Sequence, residues 1–363
     1  MILVTGAAGK SGNAVVKALA AKRAQVRAFI RNPSHAGSLL ALGAAKVSFG
    51  SFEDARALAQ AAAGVQAIYH ICPNVSRDEV AYAGAVAAAA RTQGVKRFVY
   101  HSVLHPQIEA MPHHWQKMRV EEMLFVAGFE LTVLQPTAYM QNILGVWDGI
   151  VRDGVFGFPY PAATRLSLVD LDDLGEAAAV VLTQDGHGGA TYELVGTPAL
   201  SQTEVASVLS AVLGRSVRAE EGPLAAWQAR ARAGGMGEYE RATLAAMFRY
   251  YAEHGLIGNP NTLRWLLGRA PTDLASFPSA SASSRKADRR EQRSGCWSMI
   301  SSENRVSPRI KSGAGFFGMM LYGSASSAAA VASMASAEAA SDQCTPIRLP
   351  RSPTDTPLKA RSP

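Results

Sequence analysis

Three glycines stand at positions 6, 9 and 12 in the segment Thr5-Gly6-Ala7-Ala8-Gly9-Lys10-Ser11-Gly12. The segment follows a short β-branched run, Ile2–Thr5, and opens a helical pattern over Lys10–Ala21. A glycine at 6 permits a tight turn, and one at 9 lets the backbone approach an anion with no Cβ in the way. The glycine at 12 lets the helix pack closely on the strand. The free N–H groups and the positive end of the helix dipole face the same point, which suits a pyrophosphate. A glycine pattern alone is weak, and the strand–turn–helix context is what gives it weight. Thr5, Gly6, Gly9, Lys10, Ser11 and Gly12 are therefore candidate contacts to a dinucleotide. The end of the second predicted strand carries Arg31, nineteen residues after Gly12, where an acidic residue would hold a ribose 2′-hydroxyl. A guanidinium pairs well with a 2′-phosphate, so the expectation is NADP(H) over NAD(H), with Lys10 as a second positive charge. The competing reading of Arg31 is a solvated surface charge.

Further chemistry clusters around His113-His114-Trp115-Gln116-Lys117. Imidazole titrates near neutral pH, so His113 or His105 is a candidate acid, against the plainer reading of polar loop histidines. Trp115, Tyr139 and Phe156 are candidate walls of an aromatic acceptor pocket, against ordinary packing. Cys72-Pro73-Asn74 follows the fourth predicted strand, where a loop should touch a dinucleotide. Cys72 itself reads as a small buried apolar residue. No His/Glu/Cys grouping has zinc spacing, and three cysteines make no disulfide framework. Met247, Phe248, Tyr250 and Tyr251 read as a core-facing helix side.

The elements that must position these groups alternate strand and helix over the first 136 residues. Strands are expected at Ile2–Thr5, Gln25–Ile30, Lys46–Phe49, Gln66–Ile71, Arg97–His101 and Leu131–Gln135. Helices are expected at Lys10–Ala21 and Ser34–Leu42, after Ser51 as a cap with Asp54 three residues on, after the capping-box pair Ser76 and Glu79, and over about His114–Val126. This alternation implies an α/β fold: a doubly wound, Rossmann-like parallel sheet with helices on both faces. Residues 137–278 read mainly as a smaller C-terminal substrate lobe. It comprises a Gly154–Pro161 loop, a helix over Asp170–Leu182, a strand at Thr191–Val195, a second capping-box pair at Ser201 and Glu204, and helices through 223–278.

Charge divides the chain at about the same place. The 363 residues carry a formal net charge of +7. Residues 279–363 hold 12 Lys/Arg against 6 Asp/Glu, leaving the body near neutrality. The basicity therefore argues little for nucleic acid, and no helix-turn-helix or basic stripe appears in the body. The tail, with 18 Ser and 14 Ala in 85 residues, reads as low-complexity, disordered and dispensable, either an extension or a product of a shifted reading frame. Its uncharged run Ser312–Ala337 is too poor in Leu, Ile, Val and Phe for a membrane span. Met1 leads straight into strand and turn, so no signal peptide is expected and a cytoplasmic setting is the default.

Three stretches carry a family resemblance: Gly94-Val95-Lys96-Arg97-Phe98-Val99-Tyr100-His101-Ser102-Val103, Leu134-Gln135-Pro136-Thr137-Ala138-Tyr139-Met140-Gln141-Asn142, and Val169-Asp170-Leu171-Asp172-Asp173-Leu174-Gly175. With the glycine turn and Arg31, residues 1–278 resemble the NmrA-like group of atypical short-chain dehydrogenase/reductases. The resemblance implies that Ser102 lies beside the nicotinamide and that Pro136 and its loop close over the cofactor. It also implies that Lys117 holds the nicotinamide ribose. Active dehydrogenases of the wider superfamily use Tyr-x-x-x-Lys, and here His113 stands at the tyrosine position. Alcohol and ketone chemistry is thereby put in doubt, whereas hydride transfer to an acceptor needing little proton help is not. The resemblance thus implies an NADPH-dependent reductase of a small quinone-like or aromatic acceptor, with His113 and Lys117 catalytic and His105, Trp115, Tyr139 and Phe156 around the acceptor. The alternative is a non-catalytic NADP(H) sensor that binds a partner protein.

Overall fold

The computed structural model describes residues 1–277. The expected tail, 279–363, with its run Ser312–Ala337, lies outside the described residues. Seven parallel strands form the main sheet: β1 (Ile2–Val4), β2 (Val26–Ile30), β3 (Lys46–Phe49), β4 (Ala67–His70), β5 (Arg97–His101), β6 (Glu130–Pro136) and β7 (Thr191–Leu194). Their order is β7-β6-β5-β4-β1-β2-β3, so the winding reverses between β1 and β4. A reversal of this kind leaves a crevice at the carboxyl ends of the two strands.

Strand side chains alternate between two buried layers. Ile2, Val4, Tyr69, Val99 and Leu134 enter one core with α1 (Lys10–Ala21) and α7 (Leu171–Thr183). Their strand neighbours Leu3, Ile68, Phe98, Tyr100 and Val133 enter the other, against α3 (Ala55–Ala62), α4 (Glu79–Thr92) and α5 (Pro112–Phe125). Apolar residues on both faces are what a sheet covered by helices on both sides requires. The Rossmann-like α/β expectation is met. Helix α7 lies so close to α1 that a Cβ at Gly175 would stand 2.6 Å from the Ala14 carbonyl oxygen.

Several local expectations shift. The second helical stretch is a 3₁₀ turn, Pro33–His35, followed by the short α2 (Ala36–Ala41). Helix α3 is capped by Asp54, which accepts from the Ala57 N–H at 2.9 Å, and not by Ser51. Ser76 and Glu79 form no capping box: Ser76 accepts from the Asp78 N–H, and Glu79 turns into the interior. The box at Ser201 and Glu204 does form, at the start of α8 (Gln202–Leu213). Past β6 the chain is not all lobe, because α7, β7 and Leu263 of α11 (Asn261–Leu267) return to the sheet. The remainder builds two smaller cores. One gathers Val75 and Leu104 from the strand-end loops with Trp227 of α9 (Leu224–Ala233) and Phe248 of α10 (Glu238–His254). The other gathers Met140, Ile143, Phe156, Val205 and Leu209 with Ile150 of α6 (Trp147–Asp153).

Candidate functional site

The glycine turn is built as its spacing predicts, with one refinement. Gly6 has φ +61°, and a Cβ there would stand 2.7 Å from the Ile71 carbonyl oxygen. A Cβ at Gly12 would meet the Gly6 carbonyl oxygen at 2.3 Å and Ala7 Cα at 2.7 Å. Gly12 therefore lets the helix close on the turn itself. Gly9, the N-cap of α1, has room: its Cβ would meet Gly6 O alone, at 3.4 Å. No side chain caps this helix start, and its first turn holds no acid. Thr5 anchors the turn to the neighbouring strand, accepting from the Ile71 N–H at 3.1 Å and lying 2.8 Å from His70 Nδ1. Arg31 is exposed just past β2 and makes no ion pair among the described residues. These features fit a dinucleotide: open backbone donors for its phosphates at the switch point, and an exposed guanidinium at the end of β2, whose charge also acts on the Glu53 carboxylate.

Opposite the turn, the ends of β4 and β5 carry two buried polar clusters, one on each face of the sheet. On the first face Tyr69 Oη lies 2.7 Å from His101 Nδ1, and His101 Nε2 lies 2.8 Å from Tyr139 Oη. The Tyr139 hydroxyl also bonds to Ser11 of the turn. The His101 tautomer sets the direction of this chain: with the proton on Nε2, Tyr69 donates to Nδ1 and Nε2–H donates to Tyr139. Burial pushes the Tyr139 phenol up, while Ser11 and then the Lys117 charge pull the other way.

The second face is built around Lys117. Its Nζ donates to Glu79 Oε1 at 2.8 Å and to the His101 carbonyl at 3.2 Å. Tyr100 donates to the same Glu79 oxygen at 2.9 Å. Burial is the largest influence and works against the ammonium, yet Glu79, Cys72 and Tyr139 together turn the balance, and Lys117 is held above its ordinary value. Beside it Glu121 accepts from Ser102 and from Gln135 Nε2 at 3.0 Å. Burial raises that carboxyl against these hydrogen bonds and the Lys117 charge.

The candidate acceptor residues divide. His113 occupies the first turn of α5, its ring edge-on to His114 at 4.5 Å, with Nδ1 buried and without a hydrogen-bond partner among the described residues. Burial first, then His114 and Lys117, hold His113 well below the ordinary imidazole range. The expected near-neutral titration is thus corrected: the ring is neutral at pH 7 and is not a standing acid. His105 sits at φ +55° in the loop after β5, and its carbonyl pairs with His114 Nδ1. Trp115 and Tyr139 are half-buried. Phe156 is placed elsewhere: it is 3% exposed inside the core with Met140 and Leu209, so its ring has no face left for an acceptor. Pro73 is exposed on the loop after β4. Pro136 is buried, with its carbonyl taken by the Leu104 N–H. Ser102 is buried with its proton committed to Glu121. The Cys72 thiol is pushed far up by burial and then by Glu79, so it is no nucleophile.

Glu79, Glu121 and His101 are the site residues that sequence reasoning missed. Glu79 was visible as half of a capping pair, a signal pointing to the wrong partner. Among the described residues no group of three or more His, Cys, Asp or Glu is arranged to hold a metal ion, and no helix is long and apolar enough to cross a membrane.

The pattern of the NmrA-like family matches residues 1–280. The chain belongs to the NmrA-like family. The NAD(P)H azoreductase of Xenophilus azovorans is 32% identical over 290 residues, covering 78% of this chain and 98% of that protein. Quinone oxidoreductase 2 of Escherichia coli is 29% identical over 277 residues, covering 76% of this chain and 96% of the relative. The crystal structure of an Escherichia coli NADPH-dependent quinone oxidoreductase complexed with NADPH superposes with a TM-score of 0.68 at 29% identity, over 77% of this chain and 99% of the other. A triphenylmethane reductase from Citrobacter shares the NmrA-like fold at 24% identity, with a TM-score of 0.68, 77% of this chain and 100% of the other being covered.

Proposed function

We propose that this NmrA-like protein is an NADPH-dependent reductase that passes a hydride directly to a small quinone-like or aromatic acceptor. The observation that carries the reading is the pairing on α5. Lys117 is a buried ammonium with a proton to spare at the strand ends, while the residue four positions before it is a neutral histidine and not a phenol. The site is equipped to hold a dinucleotide ribose and poorly equipped to protonate an alkoxide. An acceptor that is already electron-poor, and takes its proton from solvent, matches that equipment.

The bound dinucleotide would supply the hydride from its nicotinamide. Backbone donors of the Gly6–Gly12 turn bind its phosphates, Lys117 orients the ribose, and Trp115, Tyr139 and His105 border the acceptor. Steady-state oxidation of NADPH with a panel of quinones and of simple ketones tests the reading. Turnover is expected with quinones and not with ketones. Tight NADPH binding with turnover on no acceptor would replace it with the sensor reading. The reductase names carried by relatives 29–32% identical weigh against that alternative.

Preference for NADP(H) belongs to the same proposal and is supported by the exposed Arg31, which makes no ion pair among the described residues. A charge-assisted contact to a 2′-phosphate contributes about 1.5–3 kcal/mol, so Arg31→Glu should weaken NADPH binding by roughly 10–100-fold. NADH binding should change little. Equal NADPH affinity in the variant would remove Arg31 from the site.

A further inference from the structure

Lys117 alone does not explain the carboxylate beside it. Glu79 is 2% exposed at the head of a helix, a position where an acid normally faces solvent or a capping serine. Ser76 is available for that and is used by Asp78 instead. We propose that Glu79 is the positioning residue of the site, holding Lys117 as an ammonium with one N–H directed at the dinucleotide ribose. The assignment rests on the dinucleotide reading above.

Counting donors carries it. An ammonium has three N–H groups. One goes to Glu79 Oε1 at 2.8 Å and one to the His101 carbonyl at 3.2 Å, leaving the third without an acceptor among the described residues, with the Tyr100 ring 5.4 Å from Nζ. The same carboxylate oxygen accepts from Tyr100 at 2.9 Å, and the Cys72 thiol bonds to the carboxylate as well, so Glu79 is itself fixed from three sides. The groups that face Lys117 are Cys72 from the loop after β4, His70 on β4, Tyr100 and His101 on β5, Tyr139 past β6, Glu79 on α4, and His113, His114 and Glu121 on its own helix. Among them Glu79 is the carboxylate in contact with Nζ. A buried ion pair is weak evidence for stability, because desolvation offsets most of the attraction. A pair retained here calls for a reason other than stability, and setting the charge and aim of Lys117 is one.

Glu79→Gln keeps the shape and removes the charge. NADPH binding, followed by quenching of protein fluorescence between pH 7 and 9.5, should be flat in the natural protein. It should be flat and weaker in Lys117→Met. In Glu79→Gln it should start near the natural value and fall about tenfold with rising pH as the buried Nζ, no longer facing a carboxylate, loses its proton. A uniform drop at every pH would mean that Glu79 is merely structural, and would overturn the proposal. The ligand-free protein gives an independent readout. A Lys117 depressed below its unfolded value makes the native state bind fewer protons than the unfolded one, so the Tm of Glu79→Gln should rise across this range while that of the natural protein does not. If the natural protein binds no NADPH at any pH, the dinucleotide reading fails, and this Tm profile still decides whether Glu79 controls the charge of Lys117. Should Glu79→Gln fail to fold, recovery of folding in Glu79→Gln/Lys117→Met supports the pair, and failure of both variants overturns it.

Discussion

Lowering the pH from 7.5 to 5 is expected to bring this protein to the edge of unfolding. Three imidazoles lie fully buried at the strand ends and on α5, near the Lys117 ammonium, and His113, also held well below the ordinary range, acts in the same direction. Burial holds His70 at about 3 and His101 at about 3, each further lowered by the Lys117 charge. Burial holds His114 at about 4, partly opposed by its bond to the His105 carbonyl. In the unfolded chain each ring takes up a proton near pH 6.5. Below that value the unfolded state binds more protons than the native one, so stability falls as pH falls. The loss begins near pH 6.5 and continues until the native rings protonate at about 3 to 4. At pH 5 each ring costs roughly 2 kcal/mol, or about 6 kcal/mol for the three, against a total stability of about 5–15 kcal/mol. Glu121 and Asp170 act with the opposite sign. Burial raises both, so their native forms take up protons first and moderate the loss at the acid end. Urea midpoints measured from pH 7.5 to 5 should drop with a slope that steepens from near zero to the equivalent of about three protons at pH 5. A midpoint unchanged over that range would mean that these rings are hydrated or charged in the native state.

The same histidines show where sequence reasoning stops. Strand and helix positions were legible because each depends on local pattern: apolar runs alternating between two helix layers, a glycine turn, the Ser201–Glu204 box. Arg97–His101 and Lys46–Phe49 fall as expected, to the residue. The pyrophosphate turn was legible for the same reason, since Gly6 to Gly12 is one continuous piece of chain. The polar clusters were not, because their members come from distant segments. Glu79 and Lys117 lie 38 residues apart, and His101 joins Tyr69 to Tyr139 across 32 and 38 residues. Nothing local distinguishes Glu79 from a helix-start acid, and its neighbour Ser76 points to the wrong partner. Phe156 was misplaced by the converse error. An aromatic in a Gly/Pro loop suggests a pocket wall, but the loop's short strand Val155–Phe156 pairs with Arg218–Ala219 and turns the ring into a core.

Replacing Gly12 by alanine should damage both fold and ligand binding, whereas the same change at Gly9 should damage binding alone. At Gly12 the new methyl would stand 2.3 Å from one backbone atom and 2.7 Å from another, with no flexible side chain to give way. Either α1 lifts off the turn or the turn shifts. Overpacking of this kind costs about 3 kcal/mol, at the upper end of the usual range. For a domain of this size that lowers Tm by about 6–12 °C. The displaced turn also loses its aim at the phosphates, and two lost charge-assisted N–H contacts at about 1.5–3 kcal/mol each weaken NADPH by a hundredfold or more. Gly9 is different in kind. Its φ of −75° and ψ of 165° are open to alanine, and its Cβ would meet a neighbour at no less than 3.4 Å. Alanine there costs the unfolded chain entropy, about 0.4–1 kcal/mol, but is a poorer N-cap than glycine by a similar amount, so the ligand-free protein should hold its Tm. The space that the methyl enters is the approach left open in front of the uncapped helix start, so NADPH affinity should nevertheless fall at least tenfold, the equivalent of one such contact. Thermal melts without ligand, paired with NADPH titrations, separate the two variants. Wild-type affinity in Gly9→Ala would mean that no phosphate approaches the backbone there, and the dinucleotide would have to be placed elsewhere on the sheet.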